Sequence, residues 1–323
     1  MYPIDFVLIW VDGNDPKWQQ EHLRYATNSS GDKSFVRFRD WENLKYWFRG
    51  VEKFTPWVNK IHFVTCGQVP DWLNLNASKL NFVKHSDFIP KEYLPTFSSH
   101  SIELNLHKIN GLSEHFVYFN DDFFIINEIK PECFFRYGLP CDVAALDAST
   151  GIPMNCTDVI NKRFDKRRVI KSYYKKWFSL TNRRLLFRTL CLMPWPYFAG
   201  FYVTHLPQPF LKSVFEEVWK EEHDILHETC CDKFRKESNV CQYIFRDWQL
   251  VTNKFTLYNT KKLGRFFSIS EKNINEITKM IRNQTRKIIV INDSDNIENF
   301  FTLKQTIINS FNEILPNKSS FEL

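Results

Sequence analysis

At 323 residues, 43% of them hydrophobic and 16% aromatic, the chain is long and apolar enough to bury a large core, which excludes a disordered protein. The formal net charge is only +6, so any strongly basic surface must be local. No uncharged apolar window is long enough to span a bilayer, and the N-terminus lacks a basic leader and cleavage site. A cytosolic protein is therefore expected, with its eight cysteines as reduced thiols.

The first element is a strand from Ile4 to Val11, apolar and β-prone, that breaks into Asp12-Gly13-Asn14-Asp15-Pro16. Apolar residues at helical spacing (Trp41, Leu44, Trp47, Phe48, Val51) predict a helix over 40–54, punctuated by Pro56. Strands follow at Lys60–Thr65 and Leu80–His85, a helix at Ser99–Ile109, and a strand at 115–120. This alternation predicts an α/β fold with a parallel or mixed sheet and helices on its faces.

The strand at 115–120 runs straight into Asn120-Asp121-Asp122. Two carboxylates at the carboxyl edge of a strand lie where open α/β sheets bind ligands, and they suit Mg²⁺ held together with substrate phosphates. The plainer reading is an Asx turn, in which such side chains only cap the backbone. A third strand of the same kind, Arg286–Ile291, ends in Asn292-Asp293. Three strands with acidic tips could converge on one cleft.

Between 161 and 188 the chain carries eleven basic residues against one acidic, interleaved with Phe164, Tyr173, Tyr174, Trp177, Phe178 and Phe187. Such a segment is either a solvated helical face or a landing surface for an anionic partner, attracted within a Debye length of about 8 Å. No nucleic-acid motif accompanies it. Farther on, an apolar run from Phe198 to Val203 precedes His205, and two prolines stiffen the backbone after it. His223, His227, Cys230, Cys231 and Cys241 could bind zinc, but their spacing fits no standard finger and the segment reads as an amphipathic helix.

Several of these segments carry a family resemblance. IDFVLIWVDGND (4–15), RFRDWENLKYWFRGVEKFTPWVNKIHFVTCGQVPDWLNLN (37–76) and LPTFSSHSIELNLHKINGLSEHFVYFNDDFF (94–124) resemble the first two conserved regions of the Stealth family of sugar-phosphate transferases. HLPQPF (205–210) and VINDSD (290–295) are similar to its shorter third and fourth regions. The family includes bacterial capsular polysaccharide phosphotransferases and the lysosomal-enzyme N-acetylglucosamine-1-phosphotransferase.

The resemblance implies transfer of a sugar-1-phosphate, of hexosamine type, from a UDP-sugar such as UDP-N-acetylglucosamine to an acceptor hydroxyl, with release of UMP. It implies Mg²⁺ (or Mn²⁺) on Asp121, Asp122 and Glu103, with His205 as the general base. Arg235 aligns with a functional arginine, although the spacing to Gln242 is off by one residue, and Arg246 is the substitute. Asp12, Gly13 and Asn14 should meet the nucleotide, with Gly13 allowing close backbone approach. Arg37, Asp40 and Arg49 match positions expected to contact uridine or phosphate, or else cap a helix and pair at the surface. Asp293 closes the pocket, while Ser98, Ser99 and His107 match without an assigned role.

The expected architecture is a Rossmann-like, glycosyltransferase-A-like mixed sheet with helices on both faces. Residues 1–130 would form the nucleotide-sugar core, 131–204 a basic, aromatic, mainly helical insertion on the acceptor side, and 205–323 the segments completing the core. Compact spacing of the motifs without a membrane anchor points to the bacterial branch and to capsule or cell-wall polymer synthesis. The acceptor would be a glycan or lipid-linked glycan at the cytoplasmic inner leaflet, where residues 161–188 would suit an anionic membrane. Two other classes stay open: a metal-dependent glycosyltransferase that releases UDP, and a non-catalytic polyanion-binding component of capsule assembly.

Overall fold

The computed structural model describes residues 2–27, 31–32, 38–294 and 297–323. Four parallel strands, β1 (Ile4–Ile9), β2 (Ile61–Thr65), β3 (Leu80–Lys84) and β4 (His115–Phe119), stand in the order β3-β2-β1-β4. The central strand β1 is apolar along most of its length because helical layers cover both faces of a parallel sheet. Its one buried acid, Asp5, is satisfied by Asn59 Nδ2 and the Ser113 amide, each at 2.8 Å, and by His62 Nε2 at 3.1 Å.

After a tight turn, β4 leads to β5 (Phe123–Ile125), which belongs to a different sheet. β6 (Gln208–Leu211) returns to the first sheet, antiparallel to β4 at its edge. β7 (Gly264–Ser268) and β8 (Ile288–Asn292) run parallel to each other, and β8 pairs antiparallel with β5. Residues far apart in sequence thus meet at the β4–β5 turn. The observed fold is a mixed α/β architecture whose central strand order is that of a Rossmann half.

The helix in the predicted 40–54 window begins at Leu44 and runs to Phe54. Its start is delayed because the Asp40 carboxylate accepts the Glu42 amide at 2.7 Å and Glu42 takes a left-handed φ of 52°. That helix lies close on β5 through Gly50, where an added Cβ would stand 2.4 Å from the Ile125 carbonyl oxygen. The 99–109 helix is α-helical only over Ser99–Asn105 and tightens to a 3₁₀ turn at Leu106–Lys108.

Between 152 and 192 the chain is mostly helical, as Ile152–Arg163, Lys166–Ser172, Tyr174–Trp177 and Arg183–Leu192. The apolar run 198–203 forms no regular strand and makes one antiparallel bridge, Phe201 to Leu146. A small third sheet joins Leu139–Asp142 to Phe135–Arg136 and to Thr256–Leu257, tying this region to the C-terminal segment.

Candidate active site

Backbone pairing explains how the acidic strand ends reach one place. The Asn120–Asp122 turn carries the chain from β4 into β5, closed by a hydrogen bond from the Phe123 amide to the Asn120 carbonyl at 3.2 Å. The Ile291 amide donates to the Asp122 carbonyl at 3.0 Å, so the Asn292–Asp293 end of β8 lies beside the acidic pair. In the parallel register of β7 and β8, Ser268 stands opposite Asn292. The end of β1 supplies Trp10 and Val11. Together with residues 38–41, Asn43, Leu44, Thr96, Phe97, Ser99 and Arg235, these strand ends line a cleft of about 670 Å³, within the range of small-molecule sites.

The cleft is anionic at its floor. Desolvation by the surrounding protein pushes Asp121 up to about 6, with Asp40 adding like charge. Desolvation and then the neighbouring Asp121 push Asp122 up to about 8, and burial also raises Asp40. Adjacent carboxyls that resist joint ionisation are a hard oxygen donor set, which fits a divalent cation completed by phosphate oxygens.

Protons and a cation should therefore compete at the pair. The raised Asp122 pKa lends stability that is complete below the ordinary aspartate range near 4 and is lost as pH rises through about 8, while solvent screens the share of the exposed Asp121. In EDTA the melting temperature should accordingly fall between pH 5.5 and pH 8.5. Added Mg²⁺ should restore a few degrees at the higher pH and little at the lower, and Asp122→Asn should flatten the profile. A rising melting curve over this range, read by scanning fluorimetry, would contradict the assignment.

Cationic groups face the acids. Arg235 enters the cleft and donates to Ser99 Oγ at 2.6 Å; Ser99 in turn donates to Glu103 Oε1 at 2.8 Å. Arg39 sits 3.4 Å from Asp293 with its guanidinium over the Phe300 ring at 5.0 Å. Sequence reasoning singled out Arg37, which lies outside the described residues. It anticipated the strand-end residues Asn120 and Asn292 but passed over Arg39, two positions on in the same motif, together with Asn43 and Ser268 on the cleft wall. Nothing in composition marks these polar residues; only the strand-end pairing does.

Other expectations are corrected by the structure. Glu103 does not join Asp121 and Asp122: its Oε1 accepts from Ser99 and, at 3.2 Å, from the Tyr118 hydroxyl, and its Oε2 accepts the Gln242 amide at 3.1 Å. Among the described residues, no three His, Cys, Asp or Glu side chains are grouped to hold a metal. Burial raises the Glu103 pKa against the opposing pull of Arg235, and Glu103 acts as the buried brace of that arginine through Ser99.

Arg246 is not a substitute for Arg235, since its buried guanidinium forks onto Asp142 at 2.8 and 2.9 Å and donates to the Tyr202 carbonyl at 2.8 Å. Arg49 likewise serves the fold. It makes a two-pronged pair with Glu322 at 2.8 and 2.7 Å and donates to the Leu315 carbonyl at 2.9 Å, pinning the C-terminal segment on the Leu44–Phe54 helix.

Gly13 does need a close backbone approach, but to Phe38. An added Cβ would lie 2.1 Å from the Phe38 carbonyl oxygen and 2.6 Å from its Cβ. Gly13→Ala should push away the 38–41 arm that bears Arg39 and Asp40, raising KM roughly tenfold or more at little cost in secondary structure. An unchanged KM in steady-state kinetics would contradict this. Asp12 and Asn14 form an Asx turn, the Asn14 amide donating to Asp12 Oδ1 at 2.8 Å, and Gln68 clamps the backbone of Asp12 from both sides. They flank the cleft without lining it.

His205 adopts a left-handed φ of 49°, with its Nδ1 3.3 Å from the Tyr243 hydroxyl and its ring 5.2 Å from Phe266. Phe266 lies on β7 two residues before the cleft residue Ser268, hence on the same face of that strand. Burial, then Arg246, lower the His205 pKa below the usual imidazole range. In the His/Cys cluster, His227 is engaged by the Tyr93 hydroxyl at 2.8 Å on one ring nitrogen and by Cys231 Sγ at 3.6 Å on the other.

Comparison with known proteins bears on this geometry. Residues 2–30 match Stealth protein CR1, conserved region 1, and residues 37–140 match Stealth protein CR2, conserved region 2. The chain is 39% identical to the capsular polysaccharide phosphotransferase WcwK of Streptococcus pneumoniae, covering 100% of this chain and 98% of that protein. It is 38% identical to the receptor polysaccharide phosphotransferase WefC of Streptococcus gordonii, covering 99% of each. The exopolysaccharide phosphotransferase cps2G of Lactiplantibacillus plantarum is also 38% identical, covering 99% of this chain and 96% of that one. The galactosyltransferase LgtC, solved with donor and acceptor sugar analogs, overlays with a TM-score of 0.39 at 11% identity, over 94% of this chain and 95% of its own.

Proposed function

Because the chain belongs to the Stealth family of capsular polysaccharide phosphotransferases, enzymes that transfer a sugar phosphate, we propose that its donor is a UDP-hexosamine and that UMP is the leaving group. The observation that carries this reading is the acidic pair Asp121–Asp122 facing Arg235 and Arg39 across one cleft. A pyrophosphate asks for that arrangement: oxygen donors for a cation on one side and guanidinium forks for the remaining phosphate oxygens on the other.

In this proposal Asp121 and Asp122 hold Mg²⁺, which when bound neutralises phosphate charge. Arg235, fixed by Ser99 and Glu103, grips the phosphoryl oxygens of the sugar phosphate, and Arg39 those nearer the uridine. The rings of Trp10, Trp41 and Phe97 on the cleft wall offer stacking surface to the base.

The acceptor hydroxyl enters over β7 and attacks the phosphorus bearing the sugar. An oxygen–phosphorus bond forms there as the bond to the bridging oxygen breaks, and that oxygen departs with UMP. The hydroxyl proton passes to His205, whose Nδ1 is steadied by Tyr243 and whose lowered pKa keeps it neutral and ready to accept near pH 7.

The test is to incubate the protein with a panel of UDP-sugars, Mg²⁺ and a capsular oligosaccharide and identify the released nucleotide by ³¹P NMR. UMP together with a new phosphodiester resonance is expected. UDP as the sole product would replace this reading with ordinary glycosyl transfer on the same cleft.

A further inference from the structure

We infer that the outer face of the 161–197 helices is a docking surface for an anionic lipid bilayer. Thirteen large hydrophobic side chains are exposed among the described residues. Six of them, Tyr174, Leu180, Phe187, Leu190, Trp195 and Tyr197, fall within 24 consecutive positions. Phe187 is 72% exposed and Leu180 68%. Packing does not account for them, because the helix Arg183–Leu192 buries a different stripe, Leu185 and Thr189.

At 100° per residue, Arg183, Phe187 and Leu190 share the outward face with Arg184 beside them. Lys166 joins this helix to its neighbour Lys166–Ser172, donating to the carbonyls of Leu192 at 2.8 Å and Met193 at 3.2 Å and to that of Trp195. The aromatic pair Trp195–Tyr197 therefore adjoins the exposed basic residues of that second helix.

Charge selects the occupant. Some basic residues of the segment are used internally: Arg163 pairs with Glu221 and Glu222, Arg188 with Asp147, and Lys176 bonds backbone carbonyls. Arg167, Arg168, Lys171, Lys175, Arg183 and Arg184 are exposed and make no ion pair among the described residues. Uncompensated cations around outward aromatic and leucine side chains match a surface with anionic headgroups above an apolar layer. A second copy of the chain would bring the same positive charges together, and a soluble polyanion would leave the apolar side chains in water. No helix in the described residues is long and apolar enough to cross a membrane, so the contact is interfacial. The inference is independent of the donor assignment, since vesicle binding can fail while UMP is still released.

The test is co-sedimentation of the full chain with vesicles of phosphatidylcholine alone or with about 30% phosphatidylglycerol. Binding to the anionic vesicles at about 0.1 M salt should exceed that to neutral ones tenfold or more. Arg183→Glu with Arg184→Glu should reduce it about tenfold. Phe187→Ser with Trp195→Ser should also reduce it about tenfold and remove the fraction that survives about 0.5 M salt. Both pairs are exposed, and unchanged melting temperatures would verify their folds. The inference is overturned by equal binding to neutral and anionic vesicles, or by no vesicle binding. It is also overturned by heparin retention indifferent to the Phe187/Trp195 change, or by a wild-type dimer in light scattering that Phe187→Ser dissolves.

Discussion

Replacing Asp122 by Asn should lower sugar-phosphate transfer about a thousandfold, equivalent to roughly 4 kcal/mol of barrier, while the protein keeps its fold. The substitution is nearly isosteric and leaves the backbone carbonyl that receives the Ile291 amide untouched. What it removes is one of the two adjacent carboxylates proposed to hold the divalent cation. The metal-free protein should lose no stability at neutral pH, because Asp122 is pushed up to about 8 first by desolvation and then by Asp121. Product release measured by coupled assay, with the melting temperature as control, separates the two effects. Activity within threefold of wild type would remove Asp122 from the site.

Arg235→Ala should cost about a hundredfold in kcat/KM, and Arg235→Lys less than Ala but still tenfold or more. A lysine restores charge without the planar fork, and its single ammonium cannot both reach phosphate and hold Ser99, which Arg235 does at 2.6 Å. Once Arg235 is truncated, Glu103 keeps its hydrogen bonds from Ser99, Tyr118 and Gln242 but loses the positive charge that opposes its desolvation. Stability of the Ala variant should therefore fall modestly as pH rises. Equal kcat/KM for Lys and wild type would show that point charge suffices and that the fork is unused.

The strands and their acidic tips were legible because a run of β-prone apolar residues ending in Asn or Asp combines two local signals, and β1, β4 and β8 each carry both. That these tips could share a cleft was legible, but the means was not, because it depends on the antiparallel pairing of β8 with β5 across more than 160 residues. Long-range pairing has no local signature. The helix after residue 40 shows the opposite limit: its apolar period was correct, yet the short-range bond from the Glu42 amide to Asp40 moved its start to Leu44 and released an arm that lines the cleft.

Arg49 and Arg246 show why a charged residue in a motif is a weak pointer to a ligand. The first is matched by Glu322, 273 positions away, and the second by Asp142, 104 away. Either partner was invisible without coordinates. Burial of such a pair is stable only when both charges and their spare hydrogens are satisfied, which the carbonyls of Leu315 and Tyr202 achieve. Glu103 was found by resemblance alone, and the structure supplies the physical role: a buried carboxyl that aims Arg235.

The most direct test of the account is Mn²⁺ binding followed by electron paramagnetic resonance, with and without UDP-N-acetylglucosamine. The donor should tighten Mn²⁺ at least tenfold in the wild type and in Glu103→Gln, and Asp122→Asn should lose this response. Equal Mn²⁺ affinity in wild type and Asp122→Asn, with no effect of the donor, would contradict a cation held against a pyrophosphate at this turn.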